Sequence, residues 1–205
     1  MIQDITDKVR AEDELRRSQE QLRGAMAASR SGWFEWDIVH DKLTFSPELE
    51  ALYGLEAGTF GGTLKDWEVL IIPEDLPAAK ATIEEGFHIG VAEAEWRFLN
   101  PKDGQVHWMW GQSRVEFDSE GRPSRMIGVE FDVTSRKKAA LALEESKTDF
   151  TTLANFVPQL IWMSDQPGKA MFVNRRWTEY TGMTLEQSSG YAWVNSIHPE
   201  ERDAA

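Results

Sequence analysis

Hydrophobic positions alternate with period two near residue 130, where Ile127, Val129, Phe131 and Val133 fall on one face. That alternation predicts a half-buried strand. From Ser135 to Phe150 the chain turns charged and rich in Ala and Leu, with no Gly or Pro, which predicts a helix. Thr134 stands at the change of period, where a hydroxyl can accept a bond from an N–H of the first helical turn. A strand therefore feeds a helix with almost no loop. Such a joint can pass a change in the sheet to whatever follows.

Upstream, the same reasoning predicts a linker helix over 7–30, ended by Ser31-Gly32. Trp33–Ile38 and Leu43–Ser46 form a hairpin about His40-Asp41-Lys42. Pro47 opens a short helix to Tyr53, closed by Gly54; residues 58–62 are loop, and Leu64–Ile71 is a second helical piece. A longer helix starts at Pro73-Glu74-Asp75, with its acids at the positive end and Gly86 near its stop. Ala92, Ala94, Trp96 and Phe98 share one face of the next strand. Val106, Trp108 and Trp110 share a face of the one after, which runs to about Phe117. The order gives an α+β domain, a five-stranded antiparallel sheet with helices on one face, flanked by linker helices.

The joint recurs. Asp4-Ile5-Thr6 precedes a charged helix as Asp132-Val133-Thr134 does, a shift of 128 residues that also pairs Leu15 with Leu143, Ser46 with Asn174 and Gly54 with Gly182. Sustained self-similarity marks a duplicated module. The domains read as 1–6, the end of a preceding copy; 7–30, a linker helix; 31–134, a complete copy; 135–150, a linker helix; and 151–205, the first part of a further copy, truncated. Leu15 and Leu22, and Leu143, Phe150 and Val157, recur every seven residues. That spacing suits a parallel coiled coil and a homodimer.

Composition narrows the chemistry. Hydrophobic residues make up 41% with nine Trp and ten Phe, enough for a real core. A net charge of −13 argues against nucleic acid. No run approaches the ~18 apolar residues that span a bilayer, and no secretory signal follows Met1, so direct membrane insertion is not expected and a cytoplasmic location is the simplest reading. Zero cysteines exclude disulfides, thiolate metal sites and thiol nucleophiles. His40, His88, His107 and His198 lie at no ligand spacing, and no phosphate loop or nucleophile–base pair stands out, so neither a catalytic nor a metal site is expected. His107, alternating with Val106 and Trp108, faces the other side of its strand from those aromatics. Trp36, Phe45, Trp67, Trp96, Phe98, Trp108 and Trp110 are the candidates to converge between sheet and helices. They either line a ligand pocket or simply fill the core, and filling is the ordinary role of such side chains.

Trp36-Asp37, Pro73-Glu74-Asp75, Glu95-Trp96-Arg97, Asp103-Gly104 with Trp108, and Gly128-x-x-x-Asp132-x-Thr134 occur in the order found in Per-Arnt-Sim (PAS) sensor domains. The chain resembles the Trp-rich subclass with a terminal Asp-Ile-Thr motif. It departs at Ile72, where that subclass carries His; the later copy has His198. The resemblance implies a sensory module that relays a signal through linker helices to a covalently linked output domain, by similarity a bacterial two-component histidine kinase. The alternatives are a receptor for a small ligand or cofactor and a pure dimerisation scaffold. Relatives that bind haem place the iron ligand near His88, and light-sensing relatives need a Cys for their flavin adduct. A lone His and no Cys argue against both cofactors.

Overall fold

The computed structural model describes residues 2–166, 169–190 and 192–200, with the side chains of 1–12, Leu15 and Gln19 outside the description. The chain divides into two compact units, Met1–Lys137 and Lys138–Ala205.

The first unit begins with helix α1 (Ile2–Ser29). Asp4, Ile5 and Thr6 lie inside it, so the strand-to-helix joint expected there is absent and helix runs throughout. No strand among the described residues offers residues 2–6 a ladder, and the charged segment follows its helical propensity. Arg30, with φ +52°, ends the helix, and β1 (Ser31–Asp37) starts at once. Gly32 is thus a strand residue rather than a helix stop. A Cβ there would meet the Leu49 backbone at 2.5 Å, so its bareness is what lets the next helix pack against the strand.

β2 (Lys42–Phe45) completes the hairpin, and Ser46 caps α2 (Pro47–Leu52) by accepting the Leu49 N–H. The short helix α3 (Leu64–Leu70) opens on a reciprocal cap between Thr63 and Asp66. Helix α4 (Leu76–Ile89) starts later and ends later than its sequence suggests. Asp75 makes no side-chain cap; its carboxylate accepts instead from Arg97 N, Nε and a terminal guanidinium nitrogen at 2.6–2.8 Å. Gly86 lies within α4, and the stop is Gly90, in the left-handed region at φ +84°. Then come β3 (Val91–Leu99), β4 (Val106–Phe117) and β5 (Pro123–Asp132). The five strands pair antiparallel in the order β2-β1-β5-β4-β3.

The core lies between one face of this sheet and helices α2–α4, around Trp36, Phe45, Leu49, Tyr53, Trp67, Trp96, Phe98, Met109 and Met126. The inner face of β5 is Met126, Gly128 and Glu130. Ile127, Val129 and Phe131 do share a face, as the alternation predicts, but it is the outer one. The inner faces of β4 and β5 carry glycine because aromatic rings from neighbouring strands occupy the space. A Cβ at Gly111 would stand 2.6 Å from Trp96 Cη2, and one at Gly128 would stand 2.5 Å from Phe34 Cε1.

β5 runs into α5 (Thr134–Phe156), which crosses into the second unit. That unit holds β6 (Trp162–Ser164), β7 (Ala170–Val173), α6 (Arg175–Thr181) and a 3₁₀ turn over Ala192–Ser196. β7 and the start of α6 stand 128 residues after β2 and the start of α2. The buried Asn174 repeats the role of Ser46: it caps α6 at the Trp177 N–H and also accepts from Ile161 N. Gly182 and Gly54 both close their helices at φ above +70°. Residues 201–205 of the expected further copy lie outside the described residues.

Candidate functional site: a buried carboxyl beneath the strand-to-helix joint

Two polar clusters stand out in the first unit, one inside the core and one at the end of β5.

The inner cluster is built on Glu130, which is 2% exposed although its strand neighbours on that face are Met and Gly. The Tyr53 hydroxyl, from the end of α2, donates to Glu130 Oε2 at 2.8 Å. In turn Trp96 Nε1–H of β3 donates to the Tyr53 oxygen at 3.1 Å. No basic side chain meets the carboxyl among the described residues. Burial therefore pushes its pKa up to about 8, against a smaller lowering by the Tyr53 bond. Burial, then the neighbouring Glu130, likewise raises the Tyr53 phenol well above its ordinary range. The indole N–H of Trp67, 5% exposed, is buried with no hydrogen-bond partner.

Beside this cluster is an apolar cavity of about 50 Å³, lined by Trp36, Phe45, Trp67, Trp96, Met126 and Glu130 among others. Drug-sized ligand sites run to roughly 300–1,000 Å³. The cavity as it stands has room for a few water-sized groups. Four of the aromatics named from sequence, Trp36, Phe45, Trp67 and Trp96, come together at its wall. Phe98 is in the core, packed on Tyr53 at 4.7 Å between ring centroids, but does not line the cavity.

Trp108 and Trp110 are not in the pocket. β4 turns Met109, Gly111, Ser113 and Val115 inward, so both indoles lie on the outer face. Trp110 packs on Phe131 and donates its N–H to Glu93. The Trp108 ring lies beneath two cations, Lys137 at 5.1 Å and Arg97 at 5.5 Å from its centroid. Its N–H and C=O both bond to the joint: Trp108 N donates to Thr134 Oγ1 at 2.9 Å, and its carbonyl accepts from Val133 N at 3.0 Å. His88 is exposed on α4, while its neighbour Phe87 turns inward against Trp36. The imidazole does not line the cavity.

The outer cluster is the joint itself. Asp132 Oδ1 accepts from Thr134 N at 2.8 Å, which places a carboxylate at the positive end of α5. Its Oδ2 accepts from the Arg30 guanidinium at the end of α1, and Asp132 N donates to Arg30 O at 2.9 Å. Burial would raise this carboxyl, but the Thr134 and Arg30 bonds outweigh it and hold the group below the usual carboxylate range. Glu95 adds a second tie, accepting from Lys137 at 2.5 Å. The end of α1, the end of β5 and the first turn of α5 thus share one set of hydrogen bonds. Thr134 plays a different part from the one its position suggests: its hydroxyl accepts from β4, and Asp132 satisfies the helix N–H.

Residues 42–130 match the family model described as PAS fold. This segment is a PAS domain. Strand β1, just outside the match, completes its sheet in the order already given. A solved sensory box histidine kinase/response regulator from Burkholderia thailandensis E264 has the same fold, with a TM-score of 0.54 at 23% identity, covering 63% of this chain and 97% of that one. The two-component sensor PprA of Pseudomonas aeruginosa is 26% identical over 129 residues, which is 62% of this chain and 14% of PprA. The probable diguanylate cyclase DgcE of Escherichia coli is 23% identical over 198 residues, 96% of this chain and 18% of that protein. The chain spans less than a fifth of the length of the curated relatives it matches.

Of the remaining residues named from sequence, Leu22, Leu143, Phe150 and Val157 are exposed on or just beyond the long helices. The Leu15 side chain, with those of Asp4, Ile5 and Thr6, lies outside the described residues. Sequence reasoning missed Tyr53, Glu130 and Arg30. One signal was readable: Glu130 falls in phase with Met126 and Gly128, the face opposite Ile127, Val129 and Phe131. Once the glycines are seen as close-approach positions, that phase makes Glu130 an inward acid.

Proposed function

We propose that this chain is the input region of a signalling protein, in which the PAS domain relays a signal from its core to an output domain through the helices at its joint. The observation that carries this reading is the hydrogen bonding of Asp132 to both Arg30 and Thr134, because it ties the entering and leaving helices to the last turn of the sheet. Glu130 is two residues away on the same strand, so a change of charge or packing in the core acts on that end of β5. The matches to the two-component sensor PprA and to the hybrid signal transduction histidine kinase H of Dictyostelium discoideum favour a histidine kinase as the linked output.

The pairing of Ser46 with Asn174 and of Gly54 with Gly182 supports a second PAS copy beginning in the second unit, and hence modules in series. Exposed Leu22, Leu143, Phe150 and Val157 at seven-residue spacing support dimerisation through the helices. No helix among the described residues is long and apolar enough to cross a membrane, in keeping with a cytoplasmic module. The small cavity and the outward His88 argue for a domain without a coloured cofactor. An absorbance spectrum of the purified chain should show no flavin or Soret band, and either band would overturn that part.

The relay is tested by Asp132→Asn in the full-length parent. Output should become locked, on or off, while the near-UV circular dichroism of this chain stays native. Output that still follows the wild-type response would refute it.

A further inference from the structure

We propose that His107 is a proton-operated clamp on Asp132, so that the charge on its ring sets how firmly the joint between sheet and helices is held. This rests on reading the joint as the relay. His107 lies at the start of β4, 14% exposed, with one ring face near Phe98 of β3. Its Nε2 is 2.8 Å from Asp103 Oδ2, in the turn between β3 and β4. Asp103 can only accept there when ionised, so Nε2 carries the hydrogen in the neutral ring. Nδ1 is then a bare lone pair, buried and without a partner, 3.7 Å from Asp132 Oδ2. Two electron-rich atoms face each other across that gap.

A proton taken from solvent onto Nδ1 reverses the interaction. Both ring nitrogens then donate, one to Asp103 and one to Asp132, and closing the gap by several tenths of an ångström makes a charge-assisted bond. The oxygen it would take is the one that Arg30 already holds. Protonation therefore gives Asp132 a second cationic partner from the sheet and weakens its dependence on the end of α1. The charged groups that meet the imidazole are Asp103 from the β3–β4 turn and Asp132 from β5, with Arg30 from the end of α1 behind the latter. His40 and His88 are on exposed surface away from this cluster, and His198 is in the second unit.

The test is a proton and nitrogen NMR titration of the whole chain from pH 5 to 8. The His107 ring, the Thr134 amide and the Arg30 side-chain Nε signal should move together with one shared midpoint. In His107→Gln the Thr134 and Arg30 signals should become flat, while amides of the β4–β5 ladder keep their native positions. Flat Thr134 and Arg30 signals in the wild type, or the same titration in His107→Gln, would overturn the clamp. A shared midpoint together with parent output that ignores helix phase would leave the clamp standing and refute the relay.

Discussion

Burying an acid without a cation should leave a mark on stability that disappears when Glu130 is replaced. In the unfolded chain this carboxyl ionises near 4.5, and in the folded chain at about 8. The folded state therefore holds a proton that the unfolded state loses anywhere between those values. Its contribution is fully present below pH 4.5, declines as pH rises, and is gone above about 8. At about 1.4 kcal/mol per pH unit, the whole window amounts to roughly 5 kcal/mol, of which roughly 2 fall between pH 6 and 8. Carboxylates such as Asp75 and Asp132, whose values are held low, act at more acidic pH and in the opposite sense. Glu130→Gln removes the proton while keeping an acceptor for Tyr53, at a cost of about 1–3 kcal/mol for an amide N–H left in an apolar cavity. Urea unfolding at pH 6, 7, 8 and 9, followed by tryptophan fluorescence, should show the wild type losing stability relative to the variant as pH rises. Parallel profiles for the two proteins would refute the picture of a neutral buried carboxyl.

Gly128→Ala should destabilise the first unit by about 1–3 kcal/mol in the same assay, since its Cβ would be forced into the Phe34 ring and the Gln112 carbonyl. Thr134→Val deletes the acceptor for Trp108 N and should cost about 1–3 kcal/mol, with the loss concentrated in hydrogen-exchange protection at the start of α5. Limited proteolysis should leave a resistant core close to residues 31–134, with early cleavage in α1 and beyond the start of α5; equal resistance of 165–205 would contradict that boundary.

Much of the fold was legible because period and punctuation agree along most of the chain. The hairpin at 33–46, the Pro47 helix and the β3 face of Ala92, Ala94, Trp96 and Phe98 follow directly from spacing. What misled was the assumption that the more apolar face of a strand is the buried one. On β5 the outer face carries Ile127, Val129 and Phe131, while the inner face carries Gly128 and Glu130, because rings from β1 and β3 lie across it. The same assumption puts Trp108 and Trp110 inside, whereas both lie on the outer face and Trp108 sits under the first turn of α5. Glu130 was hidden because an acid between apolar residues ordinarily points to water. The partners of Asp132 were illegible for another reason: Arg30 is 102 residues away, and only the pairing of β1 with β5 brings it there.

The central claim is that a rotation or tilt of α5, set at Asp132, carries the signal. Inserting one residue after Lys138 in the full-length parent turns the downstream helix by about 100°, whereas inserting seven nearly restores its phase. Output measured across one to seven inserted residues should follow phase, altered by one and largely recovered by seven. Output that is indifferent to the number inserted would contradict the relay.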